Sequence, residues 1–309
     1  MKSSTLLIFN PIANLGRAWN IATALRPVVD EMGGADWTGT VFPTHAAELA
    51  AQAADQGYQR VIALGGDGTV HEVVNGLMRI SPDRRPALGI VPIGSGNDFA
   101  YSLGISPKPE IALRQVLSGK PAPIDIGRIE DEHGRGEFFS NSVGIGFDAI
   151  VVIRSRRVPI FQGFGIYFIA VLQTILLNHH PFHVTLTIDN QTLRDSLLMC
   201  TLMNGKREGG GFHLASNARQ DDGIFNYVTM RYVPRVKMIA TILPRFLNGT
   251  HASLSSIGSG CFQKMEIDSD RPLVIHTDGE IFAGLSSTTR KVKLDVIPSA
   301  IQAIRPAGQ

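Results

Sequence analysis

From the first residue to about Ala122, short apolar runs alternate with helix-like stretches, and that alternation leaves few folds open. TLLIFN (5–10) precedes a helix-like stretch over 16–32, and TGTVF (38–42) precedes AAELAAQAADQ. RVIALGG (60–66) precedes TVHEVVNGLMRI, and ALGIVPIG (87–94) precedes shorter helix signals. Strands alternating with helices imply parallel strands with crossover helices, an α/β layer architecture. From about residue 123 the grain changes to strand after strand: PIDIGRI, EFFSNSVGIG, HVTLTI, TLRDSLLMCTLM, GIFNYVTMRYV, CFQKMEI, PLVIHT and KVKLDVI. Two helical insertions interrupt them, one before His179 and one over 234–247. The expectation is an α/β domain over 1–122 and a β-rich, mostly antiparallel sandwich over 123–298, with AIQAIRP (299–309 region) returning to the first as a strand.

A chain of 309 residues with 44% apolar and 18% charged residues can bury two cores. Its net charge of +2 and scattered Lys and Arg argue against a nucleic-acid partner. Cys200 and Cys261 both sit in strand-like apolar runs and read as buried thiols without metal-ligand spacing, and the five-residue apolar run near Met1 is too short for a signal peptide. The cytoplasm is the expected compartment.

GGDGTVHEVVNGL (65–77) poses a chemical question: a strand ends, and glycines surround one carboxylate before a helix begins. Ligands of α/β sheets gather at the carboxyl ends of the strands. Glycines let backbone amides approach an anion, and a helix N-terminus adds positive potential, so phosphate is the natural guest. Asp67 is then useful through a Mg²⁺ ion or by taking a proton from a nucleophile, unless it is an N-cap in a plain tight turn. PIGSGNDFA (92–100) is a second such turn, and FNPIANLGRA (9–18) a third. Neither GxGxxG nor the P-loop spacing is present.

GGDGTVHEVVNGL, PIGSGNDFA and a late TDGE (277–280) together resemble the diacylglycerol kinase catalytic-domain family, which includes soluble bacterial lipid kinases and the sphingosine and ceramide kinases. The resemblance covers essentially the whole chain. It implies an α/β nucleotide domain like that of NAD kinases and phosphofructokinases, a β-rich lipid-binding domain, and an active-site cleft between them. The first loop, NPIANLGRA, departs from the family's more Ser/Gly-rich stretch, while Asn10 and Arg17 match in type. The resemblance assigns ATP to Asn10, Arg17, Thr44, Gly65, Gly66, Asp67, Gly68, Thr69, Glu72, Gly94, Ser95, Asn97 and Asp98. Read as residues, Thr44 equally caps the helix beginning at Ala46, and Asn97 and Asp98 equally cap the next one.

Within TDGE, Asp-Gly alone reads as a hairpin turn. The resemblance places catalysis there, on Asp278 and Glu280 alongside Asp67, one as general base and one close to the metal. It likewise implies a structural Mg²⁺ held by Asp222 and the carbonyls of Arg219 and Ile224 in NARQDDGIF, with a plain DDG turn as the alternative. Asp125, an acid within the strand PIDIGRI, is linked to the metal through water by the resemblance, or is an ordinary edge-strand acid.

HHPFH (179–183) fits no standard zinc spacing and reads as a solvated turn. Residues 158–178 carry no charge over a length that could cross a bilayer, but Pro159, Gly163, Gly165, Gln162 and Gln173 dilute them. A true span would separate GGDGT from TDGE across a membrane. The segment is therefore read as lipid-contacting, with Phe161, Phe164, Ile166 and Phe168 toward acyl chains and Arg154, Arg156 and Arg157 toward anionic headgroups, or else as a packed core helix. The resulting expectation is an ATP- and Mg²⁺-dependent lipid kinase, cytoplasmic and peripheral at the inner membrane surface, acting on diacylglycerol. Phosphatidylglycerol, a sphingoid base or NAD are alternative acceptors, a non-catalytic nucleotide and lipid sensor is the alternative class, and the oligomeric state stays open, a homodimer included.

Overall fold

The computed structural model describes residues 4–13, 16–157 and 164–306. The chain divides into two compact units, Met1–Ile126 with Pro298–Gln309, and Gly127–Ile297. The sequence reading puts these boundaries after residues 122 and 298; the long strands Lys120–Asp131 and Lys291–Arg305 run through both division points.

In the first unit β1 (Thr5–Phe9), β2 (Asp36–Gly39), β3 (Arg60–Gly65) and β4 (Ala87–Pro92) form a parallel sheet in the order β4-β3-β1-β2. The end of the chain extends it, since Ala303 pairs in parallel with Leu88 of β4. Strands β1 and β4 are buried throughout, as expected of apolar runs in a parallel sheet covered by helices. The crossover helices are α1 (Ala18–Glu31), α2 (His45–Gln52), α3 (Asp67–Leu77), α4 (Asp98–Ser102) and α5 (Pro109–Ser118). Helices α1 and α5 contact one another, as do α2 and α3. Arg85 donates from its guanidinium to the carbonyls of Leu77, Ile80 and Ala300, tying the end of α3 to the returning strand.

The second unit is antiparallel. After β5 (Lys120–Asp131) come β6 (Gly136–Phe139), β7 (Ser142–Gly146), β8 (Phe182–Ile188), β9 (Gln191–Met203), β10 (Phe225–Arg231), β11 (Ile257–Phe262), β12 (Lys264–Ser269), β13 (Ile275–Thr277), β14 (Glu280–Ala283) and β15 (Lys291–Arg305). The main order is β14-β13-β7-β9-β8-β12-β15, with β10 and β11 branching from β9 and β6 pairing with β5. Alternation along β9 sends Cys200 and Leu202 into one apolar cluster, with Phe139, Phe225 and Phe262, and Met199 and Met203 into another. That second cluster receives α6 (Phe147–Ser155), α7 (Phe164–Leu177) and the helical segment 235–247, where a π turn over Met238–Ile242 precedes Pro244.

Several local readings change. EFFSNSVGIG is two strands, because the amides of Ser140, Asn141 and Ser142 donate to the distant Asp278 carboxylate. CFQKMEI is also broken, where Asp189 accepts the amides of Gln263 and Lys264. Helix α6 escaped the sequence reading because its β-branched run FDAIVVIRS looks like a strand. Cys261 is exposed, not buried, since it alternates with the buried Phe262 on a strand that pairs on one side only. His179 is buried rather than solvated, against Tyr232 and the Val233 carbonyl. Phe161 lies outside the described residues, and Phe164 and Phe168 pack on the core. Among the described residues no helix is long and apolar enough to cross a membrane.

Helices α2 and α3 touch so closely at Gly76 that a Cβ there would lie 2.2 Å from the Ala47 carbonyl oxygen. A glycine to alanine change in an unobstructed helix is stabilising by up to about 1 kcal/mol. Gly76→Ala should do the reverse and destabilise by about 1–3 kcal/mol in urea unfolding, while a stabilised variant would refute the close crossing.

Candidate active site

The first two glycine turns are one object. Gly66 is the N-cap of α3, and the Asp67 carboxylate accepts the Asn97 N–H at 2.7 Å through Oδ2 and the Asp98 N–H at 2.8 Å through Oδ1. Asn97 has a positive φ of 54° and closes its own turn, accepting the Gly94 N–H and donating to the Gly94 carbonyl. The turns meet at glycine: a Cβ on Gly94 would lie 2.4 Å from the Gly66 Cα, and one on Gly96 2.7 Å from Asp67 Oδ2. Side chains here would wedge the turns apart. Gly65, Gly66, Asp67, Gly68, Thr69, Gly94, Ser95, Asn97 and Asp98 are thereby brought together, with Thr69 buried under Gly65 and Ser95 exposed. The Thr69 and Val70 amides bond the Gly66 carbonyl, and the positive end of α3 that opens here suits an anion.

The other nucleotide candidates sit around these turns differently. The Asn10 N–H bonds the Leu64 carbonyl beside Gly65, and its side chain caps the Ile12 amide. Arg17 is the exposed N-cap residue of α1. Thr44 stands at the N-cap of α2 with a φ of 74°, but its hydroxyl makes no cap. Glu72 does the capping from α3, accepting the Thr44 and Ala46 amides at 2.9 and 3.1 Å.

In the second unit TDGE is the β13–β14 hairpin, with Asp278 and Gly279 at φ values of 51° and 85° and Thr277 opposite Glu280. The Asp278 side chain turns inward and accepts the amides of Ser140, Asn141 and Ser142 at 2.8, 2.7 and 3.0 Å, and the Ser140 hydroxyl at 3.2 Å. Glu280 is half-buried and pairs with Arg156 at 2.6 Å. Arg156 also donates to the Gly279 carbonyl, so RSRR meets this turn.

Beneath the hairpin lies a cluster that the sequence reading did not find. His276 is fully buried, with Nε2 2.8 Å from Glu208 Oε1 and 3.6 Å from Asp148 Oδ2. Thr201 donates to Asp148, and the Ser142 hydroxyl to Glu208. A Cβ on Gly144 would meet His276 Nε2 at 2.2 Å, so this position must be glycine. Burial and the neighbouring Asp148 charge push Glu208 up to about 7. Burial works to raise Asp148, yet its hydrogen bond and charge interaction with His276 hold it below its ordinary value. Burial likewise opposes charge on His276, but Glu208 and Asp148 outweigh it and raise the ring. Three such ligand atoms within 4.8 Å have the composition of a metal site. Nδ1 lies 3.2 Å from the Gly279 amide, and Nε2 is the ring atom that faces the two acids. Asp148, Glu208 and His276 form a buried acid–imidazole triad.

Two metal candidates remain, each described within its own unit. Asp222 is exposed on a turn sharpened by Gly223 at φ 74°, and accepts the Ile224 N–H at 3.3 Å, while the Arg219 side chain pairs with Asp221. Asp125, in the first unit, is buried and accepts the Ser299 N–H at 2.8 Å, joining β5 to β15 where the chain returns.

The sequence matches two family profiles, "Diacylglycerol kinase catalytic domain" over residues 4–129 and "YegS C-terminal NAD kinase beta sandwich-like domain" over 141–305. It is 33% identical over 240 residues to a probable lipid kinase YegS-like of Chromohalobacter salexigens, covering 75% of this chain and 73% of that one. It is 28% identical over 263 residues to a diacylglycerol kinase of Mycobacterium tuberculosis, covering 84% and 81%. A crystal structure of a diacylglycerol kinase from Bacillus anthracis shares the fold, with a TM-score of 0.73, 22% identity and coverage of 98% and 97%. The chain belongs to the diacylglycerol kinase-like family of lipid kinases.

Glu208 stands among glycines in KREGGGF, Asp148 follows VGIGF, and His276 precedes TDGE, but nothing in their spacing announces that they meet. Their meeting has a pH signature. A carboxyl raised from 4.5 to about 7 takes up a proton on folding, so its contribution to stability is present below 4.5 and lost as pH climbs to about 7. Glu208→Gln lacks that loss. Its melting temperature relative to the parent should therefore rise across this window, and parallel curves in calorimetry from pH 5 to pH 8 would refute the buried triad.

Proposed function

We propose that the protein transfers the γ-phosphoryl group of ATP to the hydroxyl of diacylglycerol. The observation that carries this reading is the fused pair of glycine turns, where Asp67 holds the second turn by its amides and Cβ atoms would fill the space. This suits a triphosphate, with the positive end of α3 and the Ser95 hydroxyl toward its oxygens. Thr44 and Arg17 are the proposed neighbours of the nucleoside and phosphates, with Asn10 supporting the loop.

The hard oxygens of Asp222 and of the Arg219 and Ile224 carbonyls, on a turn sharpened by Gly223, are the donors that would hold a Mg²⁺ ion. Bound there, it would supply structural support; a catalytic Mg²⁺ on the nucleotide would neutralise phosphate charge. The two acids of TDGE take different parts in this reading. Asp278, whose oxygens receive three amides and a hydroxyl, positions the turn, and the half-buried Glu280, which no backbone amide engages and whose ion-pair partner is Arg156, is the acid proposed to take the acceptor's proton. Asp67 acts as the clamp on the phosphate-binding turns.

Labelled ATP and Mg²⁺ offered with diacylglycerol, phosphatidylglycerol, sphingosine and NAD in parallel should give labelled phosphatidate. Label in another acceptor would move the reading to that alcohol, and no label in any would favour a sensor. Glu280→Gln should lose about 100-fold or more in turnover at unchanged melting temperature. Asp278→Asn should also lose about 1–3 kcal/mol of stability, since an amide nitrogen would then face a backbone donor. Equal melting temperatures for the two variants would contradict the division.

A further inference from the structure

The exposed apolar side chains of the second unit include a cluster at one place. Leu176 and Leu177 end α7 with 61% and 62% of their surface exposed, and Tyr232, Val236 and Ile239 are 53%, 78% and 42% exposed. The two segments are joined: Arg235 Nε donates to the Ile175 carbonyl at 2.9 Å, and His179 bonds the Val233 carbonyl and packs on Tyr232. The helical part is not a fraying end, because Met238 and Ile242 anchor it in the core between and beyond the exposed tips. A fixed apolar patch held open to water marks an interaction surface.

The charge pattern selects the partner. Residues 175–180 and 231–242 contain no Asp or Glu, while Arg231, Arg235 and Lys237 are cationic. Arg231 pairs with Asp195, and Arg235 is turned to a carbonyl. Lys237 is exposed and makes no ion pair among the described residues. Apolar tips with an exposed Lys237 among them and no acid in either segment match an anionic bilayer surface, where the tips enter the boundary between headgroups and acyl chains and the ammonium lies among phosphates. Tyr232 has the ring and hydroxyl that suit that depth.

We infer that the end of α7 and the 231–239 segment form a docking surface for an anionic lipid bilayer. The segment 158–178 singled out by its composition then contributes through its far end, since Phe164 and Phe168 are packed inward. The inference takes its biological sense from the proposed lipid acceptor, and binding and turnover are measured separately to keep the two apart.

Co-sedimentation uses vesicles of phosphatidylcholine alone and of phosphatidylcholine with phosphatidylglycerol. The parent should bind the mixed vesicles better and be released by salt. Lys237→Glu and Val236→Asp should each weaken that binding by about tenfold. Leu285→Asp, at an exposed residue outside the patch, should not. All variants should keep the parent's melting temperature and its turnover of a dissolved short-chain diacylglycerol. Binding that ignores lipid charge, equal binding by the patch variants and the parent, or a parent dimer that Val236→Asp dissociates without change in vesicle binding would each overturn the inference. Vesicle binding that follows the predicted pattern without turnover of dissolved acceptor supports the docking surface and counts against the proposed kinase reaction alone.

Discussion

A carboxylate that accepts backbone amides from a segment far along the chain is the constraint on which both candidate regions depend. Asp67 holds Asn97 and Asp98, about 30 residues onward, and makes one wall of two glycine turns. Asp278 holds Ser140 to Ser142 and bends a would-be continuous strand into two. Charge-assisted bonds of this kind are short and directional, which is what fixes an irregular turn that has no ladder of its own. Glu72 does the same for the start of α2, and Asp131 for the turn at His133 and Arg135.

Such clamps explain what could be read from the chain alone. The α/β grain and the parallel sheet follow from apolar periodicity, which is a local signal. The pairing of Ala303 with Leu88 joins residues far apart in the chain, and no local signal contains it. The α/β domain followed by a β-rich domain was legible because two kinds of periodicity meet near residue 123. Helix α6 was not, because Val151, Val152 and Ile153 carry the β-branched mark of strands and only tertiary packing makes them helical.

The candidate residues were legible as a set and not as roles. The glycine turns announce themselves, and the structure brings nine of the named positions together, from Gly65 to Thr69 and Gly94, Ser95, Asn97 and Asp98. That Glu72 is committed to the amides of Thr44 and Ala46, and Asp278 to those of Ser140 to Ser142, is a long-range fact that no spacing rule contains. The Asp148, Glu208 and His276 triad is the clearest omission, since its members lie on α6, a glycine loop and β13. Its hint was Gly144, a glycine inside a strand whose Cβ would strike the buried imidazole.

The central claim is that Asp67 acts by holding the two glycine turns as one phosphate-binding surface. Calorimetric titration of the Mg²⁺ complex of a non-hydrolysable ATP analogue into the parent and into Asp67→Asn tests it most directly. The amide nitrogen of asparagine would face a backbone donor in place of one carboxylate oxygen, so the second turn should be released. The account predicts affinity lower by about 100-fold with the bulk of the melting temperature kept; equal affinity for the two proteins would contradict it.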